Sequence, residues 1–236
     1  MGDIVKPEKS KEMRNLLKRF DVLKGVPEKI FIELGMNLYH RTYRKGQQLF
    51  LEGDPRERIY LLLDGYIKID KMDENAASFY GDYIKPYELF PYGGLFKDEN
   101  YHYTAYAVTD IELFYIPTAV FEKIAKSNNT LLLHIIEHLS DILILHESRL
   151  QLVTNSNASE RVRHVLCLLL EDLGIKDHGK IRILCPVTVA DIAKLAGTSR
   201  ETASHVLNDF KRNGTISFEK QTITFHKPDM FRLHRL

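Results

Sequence analysis

The 236-residue sequence predicts an α+β fold with three parts: a β-rich N-terminal domain, a long helix and a C-terminal winged helix-turn-helix. Short strand-like runs recur between His40 and Ile116 with turn residues between them, which is typical of a sandwich or barrel. An apolar stripe with helical spacing follows, from Leu132 to Leu150. Two short amphipathic helix patterns then flank Gly197, and an alternating hairpin pattern comes directly after them.

The N-terminal part is predicted to be helical from about Met13 to Leu38 and β-rich after that. Asp64-Gly65 between two strand-like runs is a strong signal for a tight hairpin, and Gly53-Asp54-Pro55 marks another turn. The strand candidates are Gln47–Leu51, Arg58–Leu63, Tyr66–Asp70, Ser78–Ile84, Tyr103–Val108 and Ile111–Ile116.

The segment from Thr118 to about Val153 has a helical pattern with an apolar stripe too wide for a single buried face. We expect one side to lie on the β-rich domain and the other to form a coiled-coil-like seam with a second copy of the chain. Packing within one subunit is the alternative. His134 and His138 lack a carboxylate or cysteine partner, so no metal site is predicted. The residues predicted for the dimer helix are Leu132, Ile135, Ile136, Leu139, Ile142 and Leu143.

A polar break, Thr154–Ser159, is predicted to be a hinge and the natural domain boundary. The helix that follows is expected to run through Arg161 to Leu173, with Asn157 or Ser159 as its cap. Residues 175–187 indicate a strand pair or a loop. The predicted parts are residues 1–127 for the β domain with its N-terminal helices, 128–153 for the dimerisation helix, 154–159 for the hinge and 160–236 for the winged helix-turn-helix.

The stretch from Thr188 to Phe210 predicts a helix-turn-helix. Gly197 supplies the tight turn after the first helix, and Thr198 or Ser199 can cap the second. The second helix buries one face at helical spacing, formed by Ala203, Val206, Leu207 and Phe210. Its opposite face shows polar side chains near the helix start, which is where a recognition helix meets base edges.

Arg200 and Glu201 have the chemistry of base readout, since arginine bonds to guanine O6 and N7 and glutamate accepts from cytosine N4. The alternative is a solvated helix start. Gly214 to Phe225 predicts a two-stranded wing with its turn at residues 219–221. The predicted base-reading residues are Arg200, Glu201, Ser204 and His205, and the predicted phosphate contacts are Thr188, Ser199, Lys211 and Lys220.

Charge and composition support a DNA-binding C-terminal half. From Asn157 onward there are 13 Lys and Arg against 9 Asp and Glu, whereas the first 156 residues have 20 against 23. The two cysteines, Cys167 and Cys185, do not form a metal-ligand cluster; Cys167 is expected to be a buried inert thiol, with a redox pair as the alternative. No membrane span or signal-peptide pattern is found, so a cytoplasmic protein without a membrane partner is expected.

These features together resemble the CRP/FNR family of bacterial transcription regulators over essentially the whole chain. The stretch GTSRETASHVLNDF, from Gly197 to Phe210, is similar to the family's recognition helix, and the glycine-marked pattern from Lys45 to Lys68 is similar to its β-roll. The resemblance implies a cyclic-nucleotide-binding-like jelly roll. It also implies that Arg200 and Glu201 read a TGTGA-type half-site, with His205 at a third reading position that is often arginine. Within the family, SRETA-x-H resembles the ArcR-type regulators of arginine deiminase genes in Gram-positive bacteria.

The candidate effector pocket departs from the pattern of cyclic-AMP-responsive members. Tyr92 falls where the resemblance implies a ribose-binding glutamate, and His102 and Tyr103 fall where it implies an Arg-Ser pair. A cyclic phosphate would lose its charge-assisted bonds without the arginine. Gly93 and Gly94 still permit close backbone approach. The pocket therefore binds another anion, binds cAMP by other means, or is filled by tyrosines and binds nothing.

We interpret the chain as a homodimeric transcription regulator that binds a palindromic operator in double-stranded DNA. Its effector is unidentified, no cofactor is expected, and RNA polymerase is a further candidate partner. The alternative is a ligand-binding module that acts by protein docking. No nucleophile elbow, phosphate loop or metal triad is found in the sequence, so no catalytic residue is assigned and an enzyme is not expected.

Overall fold

A computed structural model describes residues 10–72, 79–153, 156–219 and 222–231. The chain divides into two compact units, Met1–Leu143 and Ile144–Leu236. Of the predicted hinge, residues 154 and 155 lie outside the described residues, so the domain limits given above stay predictions. In the described part of the chain, no helix is long and apolar enough to cross a membrane.

The first unit has two short helices before its strands and two helices after them. The N-terminal pair is α1 (Ser10–Leu17) and α2 (Glu28–Gly35), separated by a 3-10 turn at Asp21–Leu23. The predicted helical region, residues 13 to 38, is therefore interrupted. After the strands come α3 (Thr118–Lys126) and the start of the long helix α4 (Asn129–Val153), whose residues 144–153 belong to the second unit.

Among the described residues, eight strands build the β part of this unit, and all of their pairings are antiparallel. One sheet has the order β1-β8-β3-β6 and the other the order β2-β7-β4-β5. All six predicted strands are present, with ends that coincide with the prediction or differ from it by one or two residues, and Ser78 lies outside the described residues. The strands are β1 (Tyr39–Tyr43), β2 (Gln48–Phe50), β3 (Arg58–Asp64), β4 (Ile67–Met72), β5 (Phe79–Ile84), β6 (Leu89–Phe90), β7 (Thr104–Ala107) and β8 (Ile111–Pro117).

Strand β3 explains how one apolar run serves two cores. Side chains alternate between the two faces of a strand. Ile59, Leu61 and Leu63 pack with the helices, whereas Tyr60 and Leu62 pack inside the roll between the sheets. Because β3 is buried on both faces, its sequence shows a continuous apolar run rather than alternation.

In its described residues, the second unit contains the end of α4, three further α-helices, a 3-10 turn at Pro228–Phe231 and one four-stranded sheet. The predicted wing hairpin is present, but the sheet is larger than predicted because the strand pair after α5 joins it, in the order β11-β12-β10-β9. Cys167 and Cys185 are both buried, and burial raises the pKa of the Cys167 thiol to about 11. The elements are α5 (Ala158–Leu173), β9 (Gly174–Asp177), β10 (Lys180–Ile183), α6 (Val189–Leu195), α7 (Arg200–Arg212), β11 (Ile216–Glu219) and β12 (Thr222–Phe225).

Candidate nucleic-acid interface and effector segment

The first helix of the helix-turn-helix, α6, starts with a capping box. Thr188 accepts a hydrogen bond from the Asp191 backbone N–H at 3.1 Å, and the Asp191 carboxylate accepts from the Thr188 N–H at 2.9 Å. The Thr188 hydroxyl also donates to that carboxylate at 2.6 Å. Two otherwise unsatisfied donors are thereby bonded, which fixes the start of the helix.

The turn between α6 and α7 has its backbone held from a third helix. Gly197 has φ +54°, in the left-handed region that favours glycine. Arg161 of α5 donates from Nε to the Ala196 carbonyl at 2.8 Å and from Nη2 to the Gly197 carbonyl at 3.1 Å. Its Nη1 donates to the carbonyl of Ser156 at 3.2 Å. Sequence reasoning missed this role, because nothing in the local pattern of α5 indicates a long-range partner.

Helix α7 is positioned by its cap and its apolar face. Ser199 is the N-cap and accepts from the Thr202 N–H at 3.1 Å, as predicted for one of two candidates. Ala203, Val206 and Leu207 are buried, and Phe210 is partly buried with its ring 5.2 Å from that of Phe231. One face of the helix is thus packed against the protein, and the opposite face is exposed to solvent.

The four predicted base-reading side chains lie together on the outward part of α7. Arg200, Glu201 and His205 are exposed, and Ser204 is partly exposed. Hydrogen bonds from its own backbone N–H and from the Ser199 hydroxyl hold the pKa of Glu201 below its ordinary value. The carboxylate is therefore ionised and acceptor-only at neutral pH, which is the state that a cytosine amine requires. His205 Nδ1 lies 3.4 Å from Asp209, which also pairs with Arg212.

The predicted phosphate contacts are placed less uniformly. Thr188 and Ser199 are exposed, but their hydroxyls already serve as helix caps. Lys211 is exposed, and its Nζ lies 4.6 Å from the centroid of the Phe218 ring on the wing. Lys220 lies outside the described residues. Phosphate contact by these residues stays a prediction.

The wing is bonded directly to the end of α7. Thr215 donates from its N–H and its hydroxyl to the Phe210 carbonyl, at 3.0 and 2.8 Å. Strands β11 and β12 pair from Ile216 with Phe225 to Glu219 with Thr222. This arrangement fixes the wing beside α7.

Residues 91–103, which we name the effector segment, contain the five residues of the candidate pocket. Tyr92 is 8% exposed, and its ring lies 4.3 Å from that of His138 on α4. A Cβ atom added at Gly93 would lie 3.7 Å from the His102 ring. One added at Gly94 would lie 3.1 Å from Asp98 Cβ and 3.2 Å from His102 Nε2. His102 itself bonds Asp98 at 2.8 Å. The space beside the glycines is therefore bounded by a histidine that already has an acidic partner.

Aromatic side chains fill the interior of the roll. The rings of Phe50 and Tyr101 stack at 3.7 Å, and those of Tyr60 and Phe90 at 5.2 Å. Burial raises the pKa of both Tyr92 and Tyr103, so the two phenols stay neutral. A cavity beside Phe50, Tyr60 and Tyr101 has about 200 Å³, below the roughly 300 Å³ of small ligand pockets.

The predicted dimer helix α4 divides its stripe between two environments. Ile135 is 1% exposed and belongs to the core of its own subunit, and Leu132 and Ile142 pack against that core. Ile136, Leu139 and Leu143 are 60%, 39% and 59% exposed. The inward half of the stripe is needed to cover the N-terminal helices, so only the outward half is open to a partner.

Two family models match separate parts of the chain. A cyclic nucleotide-binding domain matches residues 40–128, and a Crp-like helix-turn-helix domain matches residues 160–233. Together they cover the β-roll, the helix-turn-helix and the wing. The chain belongs to the CRP/FNR family of transcription regulators.

Curated CRP/FNR relatives cover most of the chain. A global nitrogen regulator of Synechocystis sp. is 28% identical over 84% of this chain and 91% of its own length. The regulator ArcR of Staphylococcus epidermidis is also 28% identical, over 79% of this chain and 82% of its own. FixK2 of Bradyrhizobium japonicum, a solved structure, shares the fold with a TM-score of 0.71 at 20% identity, over 84% of this chain and 99% of that one.

Membership of the CRP/FNR family confirms several predictions from sequence. The chain is a DNA-binding transcription regulator with a cyclic-nucleotide-binding-type domain, as its fold class implied. The family consists of transcription regulators and not of enzymes. Relatives named ArcR and relatives named global nitrogen regulator match this chain at the same identity of 28%.

Proposed function

We propose that the protein acts as a homodimer on a palindromic TGTGA-type operator, with α7 of each subunit in successive major grooves. The observation that carries the proposal is the outward face of α7, where Arg200, Glu201 and His205 are exposed beside a capped helix start. In this arrangement Arg200 reads a guanine and Glu201 accepts from a cytosine. Ser204 and His205 contact the neighbouring bases, and Thr188, Ser199, Lys211 and Lys220 contact phosphates.

The dimer forms through the outward side of α4. Ile136, Leu139, Leu143 and Leu150 are exposed apolar residues with spacings of three, four and seven. These spacings are those of a heptad seam, in which two helices bury a and d positions against each other. An exposed stripe of this kind on a soluble chain indicates a protein partner, and closed two-fold symmetry is the commonest form of such an assembly.

We propose that cAMP does not control this protein through the β-roll in the usual way. The effector segment offers Lys97 and His102 as its only described cationic side chains, and His102 is bonded to Asp98. A buried cyclic phosphate requires charge-assisted donors, and the cavity beside the aromatic rings of the roll, which Asp54, Glu57 and Arg58 also line, has only about 200 Å³. The residues present therefore fit a cyclic nucleotide poorly.

A signal would act by shifting the population of DNA-competent dimers through α4 and residues 154–159. Substitutions there that leave DNA affinity unchanged would argue against this route.

The test is fluorescence-anisotropy titration of a TGTGA/TCACA duplex with wild type, Arg200→Ala and the control Arg44→Ala. Arg44 is an exposed arginine of the β-roll, so the control removes the same charge elsewhere. We expect Arg200→Ala to lose about 1–3 kcal/mol of binding free energy, Arg44→Ala to bind like wild type, and added cAMP to change neither result. Affinity that does not depend on salt would favour protein docking over DNA binding.

A further inference from the structure

A cavity of about 480 Å³ lies in the first unit and is lined in part by the middle of the effector segment. Three pieces of chain line it: residues 55–57, residues 96–99, and the start of α3 with Glu122. Its volume is that of a pocket for a small organic molecule. Pro55 and Glu57 also line the smaller cavity beside the aromatic rings of the roll, so the two cavities are neighbours.

Arg56 is a buried arginine in this cavity with one donor group unused. Its side chain is 3% exposed. Nε donates to the Asp98 carbonyl at 3.0 Å, and Nη2 donates to Glu122 Oε1 at 2.6 Å. Nη1 is buried and has no hydrogen-bond partner among the described residues. Buried guanidinium donors are normally satisfied, so an acceptor is expected at Nη1.

Thr118 adds a second unused group on the same cavity wall. The residue is 9% exposed, and its Oγ1 also lacks a hydrogen-bond partner within the described ranges. Thr118 opens α3, a nine-residue helix whose N-cap position, Pro117, makes no side-chain hydrogen bond to the helix. The first N–H groups of a helix favour an anion. Arg56, Thr118 and the start of α3 therefore line one cavity, in which the Thr118 N–H already donates to the Glu57 carbonyl at 2.9 Å.

The charges around the cavity restrict the ligand further. Glu122 is matched by Arg56, and Asp98 is bonded to His102. Lys97 is exposed, and so are the carboxylates Glu57 and Glu99. A simple anion would be repelled by the rim carboxylates, whereas a molecule with a cationic amine beside its carboxylate would match both parts of the wall.

We propose that this cavity binds a small zwitterion of the α-amino-acid class. Its carboxylate accepts from Arg56 Nη1 and the Thr118 hydroxyl beside the start of α3, and its ammonium faces Glu57 and Glu99. Occupancy bears directly on the effector segment, because the Phe96 N–H donates to Glu122 Oε1 at 2.9 Å with Phe96 at φ +65°. The Glu122 carboxylate thus bonds both Arg56, which contacts the ligand, and the effector segment.

The test is isothermal titration calorimetry on the full chain without DNA, so its result does not depend on operator binding. The probes are glycine and L-alanine, with acetate, methylammonium and inorganic phosphate as single-charge comparisons, all at millimolar concentration. The variants are Thr118→Val and Arg56→Lys, with Thr42→Val as the control on the exposed strand β1. Thr118→Val removes a hydroxyl that makes no bond, so folding is expected to be retained, and circular dichroism checks it.

We expect saturable binding of glycine and L-alanine that falls at least tenfold in Thr118→Val and Arg56→Lys and is unchanged in Thr42→Val. Acetate and methylammonium alone should bind at least tenfold more weakly. The proposal is overturned if no amino-acid probe binds wild type, since water then satisfies the two groups. It is overturned equally if Thr118→Val binds as wild type does, or if acetate or phosphate binds as tightly as glycine.

Discussion

The rings of Tyr92 and His138 are in contact, with centroids 4.3 Å apart and planes inclined by 39°. Tyr92 belongs to the effector segment and His138 to α4. Aromatic contacts of this kind contribute beyond the area they bury. The pair is therefore a direct physical link between the effector segment and the helix proposed to form the dimer.

We expect a double-mutant cycle with Tyr92→Leu and His138→Leu to give a coupling energy of about 0.5–1.5 kcal/mol in urea unfolding. Both single variants should also alter operator affinity if the link transmits a signal. The stacked pair Tyr39 and Tyr115, with centroids 5.2 Å apart on β1 and β8, provides the matched control. Substitution of these two tyrosines should change the unfolding free energy and leave the operator affinity unchanged. Additive effects of Tyr92→Leu and His138→Leu would show that the two rings are not coupled.

Arg161→Met should destabilise the helix-turn-helix and weaken DNA binding together. The substitution removes charged hydrogen bonds to the carbonyls of Ala196 and Gly197, each worth about 1.5–3 kcal/mol at most. We expect a loss of about 1–3 kcal/mol in unfolding free energy, because part of the guanidinium is solvated. Arg163→Met is the control, since Arg163 pairs with Glu160 on the same helix at 2.9 Å and should cost at most about 1 kcal/mol. Equal effects of the two variants would contradict the role of Arg161.

Local patterns predicted those parts of the fold that local forces decide. The cap at Ser199 and the buried face of α7 follow from side-chain chemistry and helical spacing. Strand β1 was missed because its middle residues are exposed and polar, and it is a strand only through pairing with β8. Strand β6 was missed because two residues carry no pattern.

The candidate sites show the same division. Exposure of Arg200 and Glu201 follows from the helix itself. Arg161 reaches carbonyls 35 and 36 residues away, and the contacts of Arg56 lie 42 and 66 residues away. Such partners depend on the assembled tertiary structure, which a single sequence does not reveal. Likewise, the stripe of α4 gave no indication that Ile135 faces its own core and Ile136 faces outward.

Cys167 should react slowly with thiol reagents while the protein is folded. Burial raises its pKa from 9.0 to about 11, so only about one molecule in a thousand carries the reactive thiolate at pH 8. The folded state keeps the proton that the unfolded chain loses, so this group's contribution to stability is constant below pH 9 and falls as the pH rises toward 11. Labelling of a Cys185→Ser variant with a chromogenic disulfide, with and without denaturant, measures the difference. Rapid labelling of the folded variant would support a redox role instead.

Charge on the outward stripe of α4 should prevent dimer formation. Ile136→Glu and Leu143→Glu place carboxylates at two a-type positions of the proposed seam, where a desolvated charge is strongly unfavourable. We expect sedimentation velocity to show wild type as a dimer and both variants as the 27.4 kDa monomer. Ile32→Glu is the matched control, since Ile32 is an exposed isoleucine on α2, and it should remain dimeric. Operator affinity should fall in the two α4 variants while circular dichroism stays unchanged, because each isolated recognition helix then binds a single half-site. A wild-type chain that sediments at 27.4 kDa at its DNA-binding concentration would contradict the seam.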